Sequence, residues 1–389
     1  MKSWKKFLII IAVFIGFYFI PFDFDNVKNA IMESMFMMQE YAKAHVLLCL
    51  IPAFFIAGAI GNFISQGAVL KYLGAKANKF LAYGVASISG AILAVCSCTV
   101  LPLFGSIYKR GAGLGPAIAF LYSGPAINVL AIIMTARILG VELGIARAVG
   151  AIIFSIIIGL LMHLIFLKEE KARNKELELM IPQEESGNRK LWQTSLYIFS
   201  MIGILIFVNW GKDQSMFVWN LIYNYKYFIT GGFLILLIVS IILWFKKDQL
   251  KSWLKSSYEF ALQIMPLLFA GVLVAGFLLG RPGHEGIIPS KWISMLVGGN
   301  SLFSNFFASI AGAFMYFATL TEIPILQGLI GSGMGKGPAL TLLLSGPALS
   351  LPSMLAIGSM IGAKKTIIYV TLVIVMSTLT GMFYGFIMG

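Results

Sequence analysis

Apolar runs long enough to cross a lipid bilayer follow one another along this chain, with short polar loops between them. A membrane-spanning helix needs about 20 mostly apolar residues. The pattern predicts spans at residues 5–21, 46–65, 144–167, 191–210, 227–245, 259–280 and 365–388, and two longer apolar regions at 80–138 and 301–361. The first long region is interrupted at 96–102 and 109–116. We therefore expect an all-helical integral membrane bundle of about ten spans.

The two long apolar regions contain copies of one sequence. Residues 87–128 recur as residues 309–350 without a gap, and 16 of the 42 positions are identical. The identical residues include several that shape the backbone: Pro102 with Pro324, glycines and a proline in 111–116 and 333–338, and the SGPA segments Ser123-Gly124-Pro125-Ala126 and Ser345-Gly346-Pro347-Ala348. The chain therefore contains an internal duplication, and we expect the backbone to follow the same path in both copies.

Four prolines lie at matching positions inside these copies. Proline has no N–H, so within a helix it leaves the carbonyl four residues earlier without its usual hydrogen bond. Hydrocarbon cannot satisfy a free carbonyl, and such breaks persist only where they are buried in protein or line a watery cavity. Broken segments at corresponding places in two repeats indicate a transporter's binding site. The alternative is that Pro102, Pro125, Pro324 and Pro347 only kink ordinary spanning helices.

One long polar stretch, residues 168–190, divides the chain. Its balanced charges are typical of a solvated linker. We expect residues 1–167 to form the first membrane repeat, 168–190 a cytoplasmic charged linker, 191–225 a linking span and loop, and 226–389 the second membrane repeat.

Basic residues beside the apolar runs predict the orientation in a cell membrane. Lys2, Lys5 and Lys6 place the N-terminus in the cytoplasm, because short loops rich in lysine and arginine stay inside. If residues 80–138 cross an odd number of times, the linker and the basic stretch 246–255 are also cytoplasmic. The second repeat then starts from the opposite face, and the repeats are inverted; one misassigned span would make them parallel.

Composition excludes a soluble protein. Hydrophobic residues make up 59% of the 389 residues and charged residues 12%, whereas soluble domains carry about 25% charged residues. The net charge of +13 lies in short loops, so it indicates contact with a lipid bilayer rather than with nucleic acid. Because the chain has no P-loop, GxSxG or HExxH pattern and its histidines are scattered, we expect no enzyme, cofactor or metal site. The sequence is compatible with a homo-oligomer as well as with a monomer.

Glu322 is the sharpest candidate for chemistry. It lies in the second apolar copy, where the first copy has Val100. An ionisable group at membrane depth is costly and is usually functional, as a proton relay, counter-ion or cation ligand. We interpret Glu322 as a proton-coupling residue that alternates between charged and neutral states. The alternative is that it reaches the membrane interface or pairs with a basic loop residue.

Thiols and hydroxyls flank the proline breaks. On extended backbone Cys96 and Cys98 would share one side and could bind a soft solute, although cysteine also packs as a small hydrophobe. The hydroxyls could line a polar pocket or bond their own helix. The predicted substrate-binding residues are Cys96, Cys98, Thr99, Pro102, Ser123, Gly124, Pro125, Asn128, Thr319, Thr321, Pro324, Ser345, Gly346 and Pro347.

The motifs CSCTVLP and KRGAGLGPAIAFLYSGPAIN, with their second copy, resemble the predicted permease family that includes the ArsP-type trivalent organoarsenical efflux permeases. The resemblance covers most of the chain and implies a permease. It also implies that Cys96 and Cys98 engage trivalent arsenic, as membrane cysteines are thought to do in arsenical members. The second copy carries Thr-Leu-Thr-Glu and no cysteine, which excludes a symmetric thiol site.

Together these features predict a secondary-active permease that exports a small soft or thiol-reactive solute, such as a trivalent organoarsenical. Its substrate pathway is expected where the broken segments of the two repeats meet. One alternative is an uncoupled channel or facilitator, in which Glu322 is a fixed selectivity charge. Another is a thiol-based membrane carrier that uses Cys96 and Cys98.

Overall fold

The computed structural model is built of helices. Where it describes the chain, it contains sixteen α-helices and one π-helical segment, and no strand. The described residues are 11, 18, 24–63, 73–74, 77–93, 97–127, 129–179, 191–210, 217–281, 284–288, 296–314, 322–331 and 333–388. The all-helical prediction is confirmed for these residues. The predicted first span, 5–21, lies outside them apart from residues 11 and 18.

The helices form three groups along the chain. The first comprises α1 (Asp25–Tyr41), a π-helical segment (Ala42–Leu50), α2 (Ile51–Phe63), α3 (Lys79–Leu93), α4 (Ser97–Lys109), α5 (Leu114–Ala126), α6 (Val129–Ile138) and α7 (Val141–Ile165). The second comprises α8 (Leu167–Leu179), α9 (Leu191–Val208), α10 (Phe217–Trp244) and α11 (Lys247–Leu279). The third comprises α12 (Leu302–Phe314), α13 (Glu322–Gly331), α14 (Lys336–Ser345), α15 (Leu351–Ile361) and α16 (Ala363–Met388).

Helices α3 to α7 correspond in order to α12 to α16, and corresponding residues make the same contacts. Ser87 of α3 and Ser155 of α7 share a hydrogen bond with an Oγ–Oγ distance of 2.9 Å. Their counterparts, Ser309 of α12 and Ser377 of α16, share the same bond at 2.8 Å. The duplicated sequence therefore has the same local packing in both copies.

Glycines shape the same turns in both copies. Gly111 and Gly333 have φ angles of 99° and 101°, and Gly140 and Gly362 have φ angles of 110° and 86°. A residue with a side chain would be strained at these angles, whereas glycine adopts them readily. The turns that separate α4 from α5 and α13 from α14 thus explain two of the recurring glycines.

The helices that carry the SGPA segments lie inside the bundle. All thirteen residues of α5 are buried, and nine of the ten residues of α14 are buried. Helix α5 packs against α3 and α7, and α14 packs against α12 and α16. Thirteen helical residues extend only about 20 Å, which is too short for a hydrocarbon core of about 30 Å. These two helices are therefore interior elements of less than full span length.

Four described helices are long and apolar enough to cross a membrane: Val141–Ile165, Asn220–Trp244, Lys247–Leu278 and Ala363–Met388. Two bent pairs raise the number to six if each pair is one span: Asp25–Leu48 with Ile51–Phe63, and Leu114–Ala126 with Ala131–Ile138. The chain is thus a multi-pass membrane protein, while the figure of about ten spans is not confirmed. The basic stretch 246–255 is part of α11 from Lys247 onward, because its lysines and glutamine are compatible with helix.

An ion pair joins the first helix to the end of α11. Arg281 donates from Nε to Glu33 Oε2 at 2.8 Å and from Nη2 to Glu33 Oε1 at 3.1 Å. These hydrogen bonds hold the pKa of Arg281 above its ordinary value. Because the guanidinium grips both carboxylate oxygens, the contact fixes orientation as well as distance.

We expect Gly159→Ala to lower the thermal unfolding midpoint in detergent, because a Cβ there would lie 2.7 Å from the Gly115 carbonyl oxygen and 2.8 Å from Tyr83 Cε1. Overpacking of this kind costs about 1–3 kcal/mol. The matched control is Gly84→Ala, since Gly84 is also helical and a Cβ there meets no atom within 4 Å. A Gly84→Ala loss as large as that of Gly159→Ala would contradict the close approach of α5 to α7.

Candidate functional site

Glu322 is the first residue of α13 and pairs with an arginine inside the bundle. Its Oε1 lies 2.5 Å from Arg147 Nη2, and both side chains are buried. Arg147 lies in α7, well inside a 25-residue apolar helix. Glu322 therefore pairs with a helical arginine and not with a basic loop residue, so that part of the alternative was wrong. Its position relative to the membrane interface stays a prediction.

The arginine receives a second buried polar partner from α6. Arg147 Nη1 donates to Thr135 Oγ1 at 2.9 Å, and Thr135 Oγ1 donates to the Ala131 carbonyl at 2.7 Å. Thr135 is buried as fully as the ion pair. One polar group thus joins three helices, because α13 supplies the carboxylate, α7 the guanidinium and α6 the hydroxyl.

The pair retains unused hydrogen-bonding capacity. Glu322 Oε2 and Arg147 Nε are buried, and neither has a hydrogen-bond partner within the described ranges. A buried polar atom without a partner is costly, and more so when it belongs to a charged group. Among the described residues, the Glu322 oxygen can therefore accept a proton or a hydrogen bond, and the Arg147 N–H can donate to a water molecule or a polar solute.

The two SGPA helices meet next to this pair. Tyr122 OH, beside Ser123 in α5, donates to the Leu344 carbonyl of α14 at 2.8 Å. Tyr122 and Leu344 occupy corresponding positions in the two copies. The Leu344 side chain lies against Gly150 of α7, where an added Cβ would be 3.2 Å away. Gly150 lies one helical turn after Arg147 in α7. Helix α7 therefore contacts Leu344 of the second SGPA helix and also supplies the arginine of the ion pair.

The two serines of the SGPA segments differ in their bonding. Ser123 Oγ has the carbonyls of Phe120 and Ala86 within reach, at 3.2 and 3.4 Å. Ser345 Oγ is fully buried and has no hydrogen-bond partner among the residues that are described. The two corresponding hydroxyls therefore differ in their hydrogen bonding within the described residues.

The other predicted residues are distributed as follows. Thr99 and Pro102 are buried in α4, Gly124 and Pro125 are buried at the end of α5, and Gly346 and Pro347 are buried in the turn after α14. Pro324 is the third residue of α13. Cys96, Asn128, Thr319 and Thr321 lie outside the described residues.

Cys98 lies in the first turn of α4, which begins at Ser97. Cys98 is therefore helical rather than extended. Cys96 lies outside the described residues, so the predicted convergence of the two thiols stays a prediction. Pro102 is tolerated within α4 since this helix is short and packs against α2, α5 and α15.

Arg147 was not among the predicted residues. Its signal was present, because an arginine within an apolar span meets the same criterion that selected Glu322. The positions that correspond to Glu322 and Arg147 in the other copy are Val100 and Tyr369. The duplication therefore supplies this ion pair once.

A second polar cluster gathers around the end of α7. Glu170 of α8 is 1% exposed. Its Oε1 accepts from Tyr108 OH at 3.0 Å and from Lys365 Nζ at 3.1 Å, and its Oε2 accepts from Leu114 N at 3.1 Å. Leu114 begins α5, so a linker carboxylate caps the first SGPA helix, where the helix dipole favours negative charge. Arg173 adds its guanidinium 3.7 Å from the Tyr108 ring centroid.

Most of the chain matches a known protein family. The profile of a family described as a predicted permease, of the ArsP type, matches residues 31–386. The UPF0718 protein MJ0584 of Methanocaldococcus jannaschii is 42% identical over 370 residues, which cover 93% of this chain and 97% of the relative. The UPF0718 protein YraQ of Escherichia coli is 22% identical over 272 residues, which cover 69% of this chain and 58% of the relative. No solved structure matches the chain.

Removing only one member of the buried pair should destabilise the protein strongly. Arg147→Met leaves the Glu322 carboxylate buried without its cation, which costs about 3–5 kcal/mol. The double variant Arg147→Met/Glu322→Leu removes both charges, and we expect it to be as stable as the wild type or more so. Thermal unfolding in detergent measures the difference.

The control for these variants is the exposed pair Lys364 and Glu169, whose side chains are 75% and 48% exposed. Lys364→Met should change the stability by less than about 1 kcal/mol, because solvent screens exposed pairs. If Arg147→Met and the double variant unfold at the same temperature, the ion pair is not a coupled unit.

Glu170→Gln should lower the unfolding midpoint more than Glu169→Gln does. The first change leaves Lys365, which is 13% exposed, beside a neutral amide and weakens the cap on α5. The second changes a side chain that is 48% exposed. Equal midpoints for the two variants would contradict the capping role.

Proposed function

Because the chain belongs to the ArsP-type predicted permease family, we propose that it is a secondary-active transporter coupled to protons through the Arg147–Glu322 pair. The observation that carries the proposal is the burial of this pair where α13 of the second copy meets α7 of the first. Ionisable groups inside a membrane bundle usually mark ion pathways or proton relays.

Protonation of Glu322 has a defined physical effect. While Glu322 is charged, it compensates the Arg147 guanidinium; once it is neutral, Arg147 is a buried charge without its counter-ion. Such a state is unfavourable by several kcal/mol, so it favours separation of α13 from α7 or entry of another polar partner. Proton occupancy is thereby linked to the contact between the two copies, which is what coupling requires.

The proposed substrate pathway runs past the SGPA segments. Support comes from the Tyr122–Leu344 contact between copies, from the unpartnered Ser345 hydroxyl and from SGPA helices of less than full span length. Transporters bind substrate where such discontinuous helices of two repeats meet. Thr99, Thr319, Thr321 and Asn128 are the further predicted lining residues.

The proposed substrate is a small soft or thiol-reactive solute, such as a trivalent organoarsenical, moved out of the cell. This part of the proposal rests on the family resemblance and on the thiols Cys96 and Cys98, since thiolates select soft partners. The second copy has no cysteine at these positions, so binding would be one-sided.

We propose that the two repeats are inverted in a cell membrane, with the linker in the cytoplasm. Support comes from the corresponding helices α7 and α16, which pack against each other. Lys364 Nζ, at the start of α16, lies 5.6 Å from the ring centroid of Phe166, which directly follows α7. Two packed corresponding helices that meet end to start run antiparallel. Cations gather at this end of the bundle, namely Lys109, Arg110, Lys171, Arg173, Lys364 and Lys365, as expected for a cytoplasmic face.

The test is uptake of a trivalent methylated arsenical into everted membrane vesicles, with and without an imposed proton gradient. We expect gradient-driven accumulation in the wild type and loss of the gradient effect in Glu322→Gln, because an amide cannot exchange protons. Glu322→Gln also leaves Arg147 without its counter-ion, so the variants are compared at equal amounts of folded protein. Counterflow of labelled for unlabelled solute should then persist in Glu322→Gln, since exchange needs binding but no net proton movement. Cys96→Ser/Cys98→Ser should lose both activities. The matched control is Cys49→Ser, which changes the third of the three cysteines in the chain.

Each other outcome has a definite reading. If solute flux in the wild type does not depend on the proton gradient, the protein is an uncoupled facilitator and the proposed proton coupling is wrong. Full transport in Cys96→Ser/Cys98→Ser would remove the thiols from the mechanism. If the wild type accumulates no more than empty vesicles do, the arsenical substrate is wrong, although the family membership is unaffected.

A further inference from the structure

A cavity of about 300 Å³ lies where α7 ends and α8 begins. It is lined by Lys79, His163, Leu167, Glu170 and Lys171. The cavity is separate from the Arg147–Glu322 pair, none of whose residues line it, and the proposed transport function does not use it.

The cavity has a surplus of positive charge. Lys79, at the start of α3, and Lys171 of α8 are both exposed. Neither forms an ion pair with the side chains that the structure describes, which in α8 end at Arg173. Glu170 also lines the cavity, but its oxygens already accept hydrogen bonds from Tyr108, Lys365 and the Leu114 amide. The lysines therefore remain available to an anion.

A tyrosine with a buried hydroxyl lines a recess that shares two residues with the cavity. A small recess of about 10 Å³ shares Lys79 and His163 with the cavity and is also lined by Tyr83. Tyr83 is 5% exposed, and its OH has no hydrogen-bond partner among the described residues. The recess has room for about one water molecule at most, so a ligand oxygen or one bridging water would satisfy this hydroxyl.

Exposed apolar side chains follow two of the cavity residues in sequence. On α3, Phe80 and Leu81 follow Lys79 and are 93% and 48% exposed; on α7, Leu164 and Ile165 follow His163 and are 60% and 51% exposed. A ligand bound here would thus meet charge at one end and bare hydrocarbon surface at the other. A phospholipid has this distribution, whereas free phosphate does not.

We propose that this cavity binds the phosphate of an anionic phospholipid headgroup, with Lys79 and Lys171 as the charge contacts and Tyr83 as a hydrogen-bond donor. Basic pockets between membrane helices on the cytoplasmic side recognise anionic headgroups in this way. The acyl chains lie over the exposed residues of α3 and α7. Because Glu170 borders the cavity and caps α5, the bound lipid braces the linker against the first SGPA helix.

The experiment titrates lipid onto the purified, delipidated full-length protein in detergent and follows the thermal unfolding midpoint. Phosphatidylglycerol should raise the midpoint in a saturable manner, whereas phosphatidylcholine and inorganic phosphate should not. Lys79→Ala/Lys171→Ala should weaken the apparent phosphatidylglycerol affinity by about thirtyfold, at about fivefold for each lysine. Tyr83→Phe, which removes only the hydroxyl, should weaken it about twofold to tenfold.

The matched control is Lys247→Ala/Lys251→Ala, which removes the same charge from an exposed basic face of α11. If both double variants lose affinity equally, the effect is general surface charge and the proposal fails. Stabilisation by inorganic phosphate equal to that by lipid would overturn the assignment to a lipid and assign the cavity to a free anion. No stabilisation by either ligand would overturn the site. Since the readout is binding, its failure is distinct from a failure of transport.

Discussion

The Arg147–Glu322 ion pair is the constraint on which the rest of the arrangement depends. Two opposite charges buried in an apolar bundle are tolerable only in contact with each other. The pair therefore requires that α13 rest against α7, and it draws Thr135 of α6 into the same contact. Wherever these helices move, the charges must stay together, be neutralised, or meet water.

The duplicated framework explains how such a contact is held. Each copy has its own serine–serine bond between the first and last of its five helices, and each has glycines at positive φ in the same turns. Within each copy the SGPA helix is enclosed by the two flanking helices. These local features recur within each copy, and between the copies α7 packs against α14 and α16, α6 against α13 and α4 against α15.

Much of the fold and part of the site could be predicted from the sequence. There are physical reasons why the other parts could not be predicted. Apolar runs predict helices in a membrane, and matching prolines and glycines predict matching chain paths, because both signals are local. Glu322 could be selected because a lone carboxylate in an apolar segment is costly. Its partner could not be paired with it, since Arg147 is 175 residues away in the chain (322 minus 147). The helical backbone at Cys98 belongs to a helix that begins at Ser97 and packs against α2, α5 and α15, and these contacts are not local in sequence.

The ion pair has one further consequence, which concerns the independence of the two copies. Arg147 belongs to the first copy and Glu322 to the second, while the corresponding positions hold Val100 and Tyr369. At the same contact, two first copies would set each Arg147 against Val100, and two second copies would set each Glu322 against Tyr369. Each such pairing would bury a charge without its counter-ion, whereas the fused chain holds one charge in each copy and lets the two compensate each other.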